Sequence, residues 1–280
     1  MAGSWRRIQA YISAMGLSKM IYSYSGERLC KADSLRQALN LEDDSLRGRR
    51  PVVSAVGAGG KTTTLHRLAE EYVQAGIPAV VTTTTHIMKE DSPWFLSDVS
   101  AEQIKGALGR FGQVWIGTSV PGGKLGILPE ALLEEIAGWD IPLLIEADGA
   151  RRMPLKVPAD HEPVILPCTT HVLSVYGLDS VGKKIEDTVF RPELAEILLE
   201  KKRTDCVAPE DIALLAASEL AGRKGCAAGM EYTVVLNKAD HEGLMETALE
   251  ICRALRSGGL CRVVVTGRSG DEAREADREK

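Results

Sequence analysis

Val52-Val53-Ser54-Ala55-Val56-Gly57-Ala58-Gly59-Gly60-Lys61-Thr62-Thr63-Thr64 decides the reading of this chain. Its small apolar residues predict a buried strand, its glycines break that strand, and Leu65-His66-Arg67-Leu68-Ala69 continues with helical spacing. Strand, glycine turn and helix start, in that order, predict a phosphate loop. Gly57, Gly59 and Gly60 let backbone N–H groups close around phosphate oxygens, and the helix start adds its positive dipole end. Lys61 is expected to reach the outer phosphates and Thr62 to hold Mg²⁺, with Thr63 beside them in the first helical turn. The strict spacing has Gly where this chain has Ala55, a small departure. A tight turn that merely packs helix on strand is the alternative, and it leaves the Lys-Thr pair unexplained.

Working outward, 280 residues suffice for one large α/β unit with additions, or for one domain and a small second one, and 44% hydrophobic with 26% charged residues is ordinary for a globular protein. A formal charge of -5 argues against a general nucleic-acid binder. No run approaches the ~18 uncharged apolar residues of a spanning helix, and no leader is read at Arg6-Arg7. The cysteines (Cys30, Cys168, Cys206, Cys226, Cys252 and Cys261) form no C-x-x-C pair, so free thiols and a cytoplasmic setting are expected. Cys168, in Pro167-Cys168-Thr169-Thr170-His171, is the one placed near a functional-looking loop.

The expected organisation is an extension and linker over 1–50, a nucleotide-binding unit over 51–267 and a charged, disordered tail over 268–280. Short helices are expected over 9–20 and 34–39, and Arg47 to Arg50 form a basic linker. From the phosphate loop onward strands and helices alternate. That predicts a phosphate-loop NTPase-like α/β fold: a mainly parallel sheet with helices on both faces, plus a helical segment over about 178–228. Residues 77–81 read as the second strand, feeding Thr82-Thr83-Thr84-Thr85-His86. Ligands of such sheets gather at the carboxyl ends of strands, so His86 and these hydroxyls are candidates to contact Mg²⁺, phosphate or an attacking water. The alternative is that threonine simply favours strands. Residues 91–140 read as an insertion, with helices over 101–108 and 129–137, a strand over 114–118 and a hairpin turn at Gly122-Gly123-Lys124.

Two further stretches carry chemistry. Pro142-Leu143-Leu144-Ile145-Glu146-Ala147-Asp148 is an apolar run ending in acids, the form of a strand that delivers a carboxylate to Mg²⁺. Glu146 and Asp148, two apart, are predicted on one strand face, one as ligand and the other placing water. The loop that follows holds Arg151, Arg152 and Lys156, expected to bind an anion, and His161 with Glu162. A strand over 172–175 and helices over 192–201 and 209–221 are then predicted. Tyr232-Thr233-Val234-Val235-Leu236-Asn237-Lys238-Ala239-Asp240 is a strand ending in Asn-Lys-x-Asp. Asp240 can accept two hydrogen bonds from a guanine edge, Asn237 can donate to the purine and the Lys238 stem can lie on the base, which favours GTP over ATP. A helix over 242–255 and a strand over 261–265 close the pattern.

Ala55 to Thr63, Thr82 to His86, Glu146-Ala147-Asp148-Gly149-Ala150-Arg151-Arg152, His161 to Ile165, Gly177-Leu178-Asp179 and Asn237 to Asp240 together resemble the YqeC family. Its members are described as accessory proteins for selenium-dependent molybdenum hydroxylases. The resemblance spans about 34–266. It implies a phosphate-loop nucleotide-binding fold, site roles at Gly60, Lys61, Thr62, Glu146 and Asp148, and an apo-hydroxylase or another maturation protein as partner. A homodimer stays open. The reaction is expected to be hydrolysis of GTP, or of ATP, with Mg²⁺. The alternatives are a kinase or ligase acting on a small anion held by Arg151 and Arg152, and a nucleotide-gated scaffold without catalysis.

Overall fold

The computed structural model describes residues 20–42, 50–260 and 262–268. Strands β1 (Met20–Tyr24) and β2 (Leu29–Lys31) are followed by a one-turn helix, α1 (Leu35–Ala38), capped by the Ser34 hydroxyl. Next come β3 (Val52–Gly57), α2 (Lys61–Gln74), β4 (Ala79–Thr83), β5 (Ile87–Met88) and β6 (Phe95–Ser97). Helix α3 (Ala101–Phe111) starts in a Ser100–Gln103 capping box and ends at left-handed Gly112. Strands β7 (Gln113–Val120) and β8 (Lys124–Gly126), α4 (Glu130–Ala137), β9 (Leu143–Glu146), β10 (Leu155–Lys156) and β11 (His171–Gly177) follow. The rest is α5 (Ile185–Thr188), β12 (Val189–Phe190), α6 (Pro192–Leu199), α7 (Pro209–Ala217), β13 (Glu231–Asn237), α8 (Glu242–Ser257) and β14 (Val263–Gly267).

One large sheet runs β2-β1-β14-β13-β11-β3-β9-β4-β7-β8-β5, with β6 beside β7. Every neighbouring pair from β14 across to β7 is parallel. Among the described residues of this sheet, antiparallel pairs occur only at the two edges, β1 with β14 and β2, and β8 with β7 and β5. Parallel strands covered on both faces must be apolar on both, which is why β3, β4, β9 and β11 are buried almost without interruption. Alternation then sorts the layers. Val53, Ala55, Val81, Leu144 and Val175 meet Leu65, Leu68 and Tyr72 of α2 on one face. Val80, Val114, Leu143 and Ile145 meet Ile104 and Leu108 of α3 and Leu133 and Ile136 of α4 on the other. There α8 covers β13 and β14 through Ile251, Cys252 and Leu255, and α6 and α7 join the same cluster.

In chain order β4, β7 and β9 lie on one side of β3, whereas β11, β13 and β14 lie on the other. That reversal places a crevice at the carboxyl end of β3, where the glycine loop emerges.

Several sequence expectations shift. Residues 20–42, read as part of an extension, supply two strands of the sheet, because Ile21 pairs with Thr266 across an open edge. Residues 91–140 are no insertion: β7 is a sheet strand whose Trp115 is fully buried. The β7–β8 hairpin turns at Gly122-Gly123 as expected. Helices fill much of 178–228, and within it Val189-Phe190 pairs with Leu155-Lys156 as a second small sheet. Most of the helix expected over 9–20, most of the basic linker, Cys261 and the tail beyond Arg268 lie outside the described residues.

Trp115 stacks against both Phe95 (ring centroids 5.0 Å apart) and His66 (3.9 Å), which also approach each other at 6.0 Å, and it donates to the Gln113 side chain. Trp115→Ala is expected to destabilise the protein by about 3–5 kcal/mol, the usual cost of emptying a buried aromatic site. A urea unfolding midpoint indistinguishable from wild type would contradict this packing.

Candidate functional site

The glycine loop bends where only glycine fits. Gly60 sits at φ 133°, and a Cβ there would lie 2.0 Å from Asn237 Nδ2. Gly59, at φ 80°, would press a Cβ to 2.2 Å from the Gly177 nitrogen. These close approaches pin the loop between β11 and β13. Its N–H groups divide into two sets. Gly57 donates to Asp148, Ala58 to the Val175 carbonyl and Gly59 to the Met153 carbonyl. Gly60 and the first helical residues Lys61, Thr62 and Thr63 form the second set, whose N–H groups have no intrahelical acceptor. The donors without an intrahelical acceptor are therefore at the start of α2, while Gly57 and Gly59 tie the loop to its surroundings.

Lys61 is buried at 4% exposure, and its ammonium donates to the Gly57 carbonyl (2.6 Å) and pairs with Asp148 (3.0 Å). A second lysine, Lys156, reaches the same carboxylate at 3.0 Å and also binds Glu162 (2.8 Å) and the Gly149 carbonyl (2.6 Å). Asp148 is thus clasped between two buried cations and the Gly57 N–H. Glu162 continues the chain of charge to Arg191 at 2.7 Å. Burial pushes the Glu162 carboxyl up, but hydrogen bonds from Lys156 and Arg191 outweigh it and hold it below its usual range.

Glu146 behaves differently. It accepts the Thr62 hydroxyl at 2.6 Å and stands 4.0 Å from Lys61. Burial raises its carboxyl above the ordinary value, and the Lys61 charge and the Thr62 hydrogen bond offset that only in part. The two acids share a neighbourhood, although β9 ends at Glu146 and Asp148 lies in the loop beyond it, and their main partners differ: Glu146 holds Thr62, with Lys61 at 4.0 Å, and Asp148 is gripped by both lysines.

The threonine run divides as well. Thr82, Thr83 and Thr84 donate to the carbonyls of Ile116, Glu146 and Val164, so the first two hydroxyls stitch strands together and the third ties β4's end to the loop before β11. Thr85 and exposed His86 line a cleft of about 820 Å³ that also takes in Gly59 to Thr63, Lys124, Glu146, Arg151, Arg152, Phe190 and Lys238. Arg151 and Arg152 are exposed, and both adopt left-handed backbone, at φ 47° and 61°. His161 is exposed and Cys168 lies away from this cleft.

At the far end Asn237 braces the architecture. Its Nδ2 donates to the Gly59 carbonyl at 2.8 Å and its Oδ1 accepts from Thr266 at 2.9 Å. Lys238, at φ 67°, pairs with Asp179 at 2.8 Å and borders the cleft. Asp240 accepts the Arg268 backbone N–H at 2.8 Å.

Sequence reasoning grouped Lys156 with Arg151 and Arg152 as anion-binding and missed its role as the buried partner of Asp148 and Glu162. The available signal was a lysine between Leu155 and Val157 in a stretch bounded by prolines, a pattern of burial. Arg191 and Lys124 were likewise not assigned to the cleft; they arrive from remote segments.

A model of the YqeC protein family matches residues 53–193. The "Uncharacterized protein YqeC" of Escherichia coli (strain K12) is 38% identical over 144 residues, or 49% of this chain and 56% of that protein. The chain therefore aligns with little more than half the length of this curated relative. The family match contains the glycine loop, both acids, Arg151, Arg152, Lys156, Glu162 and Arg191, and ends before Asn237. With half its length matched by the family's pattern, and the whole charged centre inside that match, the chain belongs to the YqeC family.

Proposed function

We propose that this protein binds a nucleoside triphosphate with Mg²⁺ in the cleft at the carboxyl end of β3 and hydrolyses it. The observation that carries this reading is Lys61. A lysine held at 4% exposure beneath a glycine loop, beside unpaired N–H groups of a helix start, makes a site for a polyphosphate. Its ion pair with Asp148 keeps the ammonium in place until phosphate oxygens take it over. The donor set also suits Mg²⁺, which binds nucleotides through one or two protein oxygens, phosphates and water. Thr62 Oγ1 and Glu146, 2.6 Å apart, supply the hard oxygens. Among the described residues no three His, Cys, Asp or Glu side chains gather as a metal cage, so the phosphates would complete the coordination. Mg²⁺ would neutralise charge developing on the transferred phosphoryl group. Glu146 keeps the Thr62 hydroxyl oriented, and Asp148 with Lys156 fixes the floor of the loop.

GTP is the proposed nucleotide, resting on Asp240 at the strand end; Asn237, by contrast, is engaged with the glycine loop. Wild type is expected to prefer GTP to ATP by tenfold or more. Asp240→Asn should move the preference toward xanthosine triphosphate, whose ring carries an oxygen where guanine has its amino group. Competition binding with the three nucleotides checks this, and equal GTP and ATP affinity in wild type would remove the guanine assignment. The biological setting proposed, following the family resemblance, is maturation of a selenium-dependent molybdenum hydroxylase. Turnover by the purified protein should then rise when the apo-hydroxylase is added.

A further inference from the structure

The charges around the cleft do not balance. Of the carboxylates that line it, Glu90 is paired with His66 (3.0 Å), Glu146 holds Thr62, and Glu162 is bound by Lys156 and Arg191. The cations divide differently. Lys61 and Arg191 are committed, Lys238 is paired with Asp179, and Arg151 lies over the Phe190 ring at 5.2 Å. Among the described residues, the side chains of Arg152 and Lys124, and the imidazole of His86 beside them, have no hydrogen-bond or ion-pair partner. They come from three separate segments: the loop after β9, the β7–β8 hairpin and the end of β4.

Unpartnered surface lysines and arginines are common, but this backbone is not. Arg151 and Arg152 are successive non-glycine residues in left-handed conformation. Such conformations persist where the surroundings hold them, and they cluster at binding sites. The holding contacts are visible: Met153 N–H donates to the Ala150 carbonyl, Gly59 N–H donates to the Met153 carbonyl, and Lys156 grips the Gly149 carbonyl. The strained pair is thus fastened to the glycine loop itself.

We propose that the cleft contains a second anion subsite, formed by Arg152, Lys124 and His86 with Arg151 beside them. It takes a small, doubly charged oxyanion next to the nucleotide's outer phosphate. The subsite deepens the nucleotide reading by supplying an acceptor or effector anion, and it rests on that reading only for what occupies the glycine loop. Inorganic phosphate serves as probe, titrated calorimetrically at fixed ionic strength into wild type, Lys61→Ala and the Arg152→Gln/Lys124→Gln double variant. Both side chains of the double variant are exposed, so its fold should survive, and a thermal melt checks this.

Wild type should bind two phosphates. The double variant should lose one, its affinity falling tenfold or more, while Lys61→Ala loses the other. Two unchanged phosphates in the double variant, or none in wild type, overturn the subsite. One phosphate that survives the double variant but disappears in Lys61→Ala also overturns it and leaves the nucleotide reading standing. One phosphate that survives Lys61→Ala but disappears in the double variant supports the subsite and removes the nucleotide reading. Displacement of the outer phosphate by malonate would assign the subsite to dicarboxylates, and resistance to malonate would assign it to phosphate compounds; either result retains it.

Discussion

Lys61→Ala is expected to weaken GTP binding on the order of a hundredfold while the protein stays folded. Truncating one partner of a buried charge contact typically costs about 2–5 kcal/mol, and every 1.4 kcal/mol is about tenfold in affinity. The lysine is not idle without nucleotide, since it donates to Gly57 and pairs with Asp148. Its loss therefore carries a structural cost. That cost is limited, because Asp148 keeps Lys156 at 3.0 Å and the Gly57 N–H. A positive–negative–positive arrangement becomes a neutral pair, which the interior tolerates. Calorimetry on the folded variant is the check, and GTP affinity within a few-fold of wild type would exclude the glycine loop as the phosphate site.

The acids should part company when neutralised. Asp148→Asn removes the negative member from between two buried lysines, leaving like charges to face one another. Breaking a buried pair in this way costs about 3–5 kcal/mol. The expected result is a large fall in the urea midpoint, accompanied by weaker nucleotide binding. Glu146→Gln leaves that clasp untouched and replaces a carboxylate whose ionised form burial already disfavours. It should fold with near-normal stability and lose turnover by on the order of a hundredfold, with nucleotide affinity changed little, because the metal acts chiefly on charge that develops during transfer. Denaturation and single-turnover measurements on both variants separate the two roles. If Asp148→Asn were stable and selectively slow, Asp148 and not Glu146 would be the residue acting on the metal.

The parts of this site legible in the sequence are those whose meaning is local. A strand that breaks into glycines before Lys-Thr and an apolar run that ends in acids each carry their geometry within a dozen residues, whereas the run ending in Asn-Lys-x-Asp gives its strand but not its partners: Asn237 is taken by Gly59 and Thr266 and Lys238 by Asp179. What failed needed partners from elsewhere. The hydroxyls of Thr82 to Thr84 look like ligand groups until neighbouring backbone carbonyls claim them. Lys156 looks solvated until β10 pairs with β12 and Asp148 and Glu162 close on it. Trp115 appeared to sit in an insertion because nothing local says that its strand lies beside β4. Strand order is a long-range property, and periodicity alone does not encode it.

The antiparallel pairing of β1 with β14 bears on how the protein is made. On the ribosome, Ile21 emerges long before Thr266, the residue it will face. Through most of synthesis β1 has only β2 beside it, and β13 presents an uncovered edge until β14 arrives. Such late closure lengthens the time during which strand edges are exposed to other nascent chains. Slow release of the last segment, or loss of β14 by premature termination, should therefore show itself as aggregation in the cell before it shows as any loss at the charged cleft.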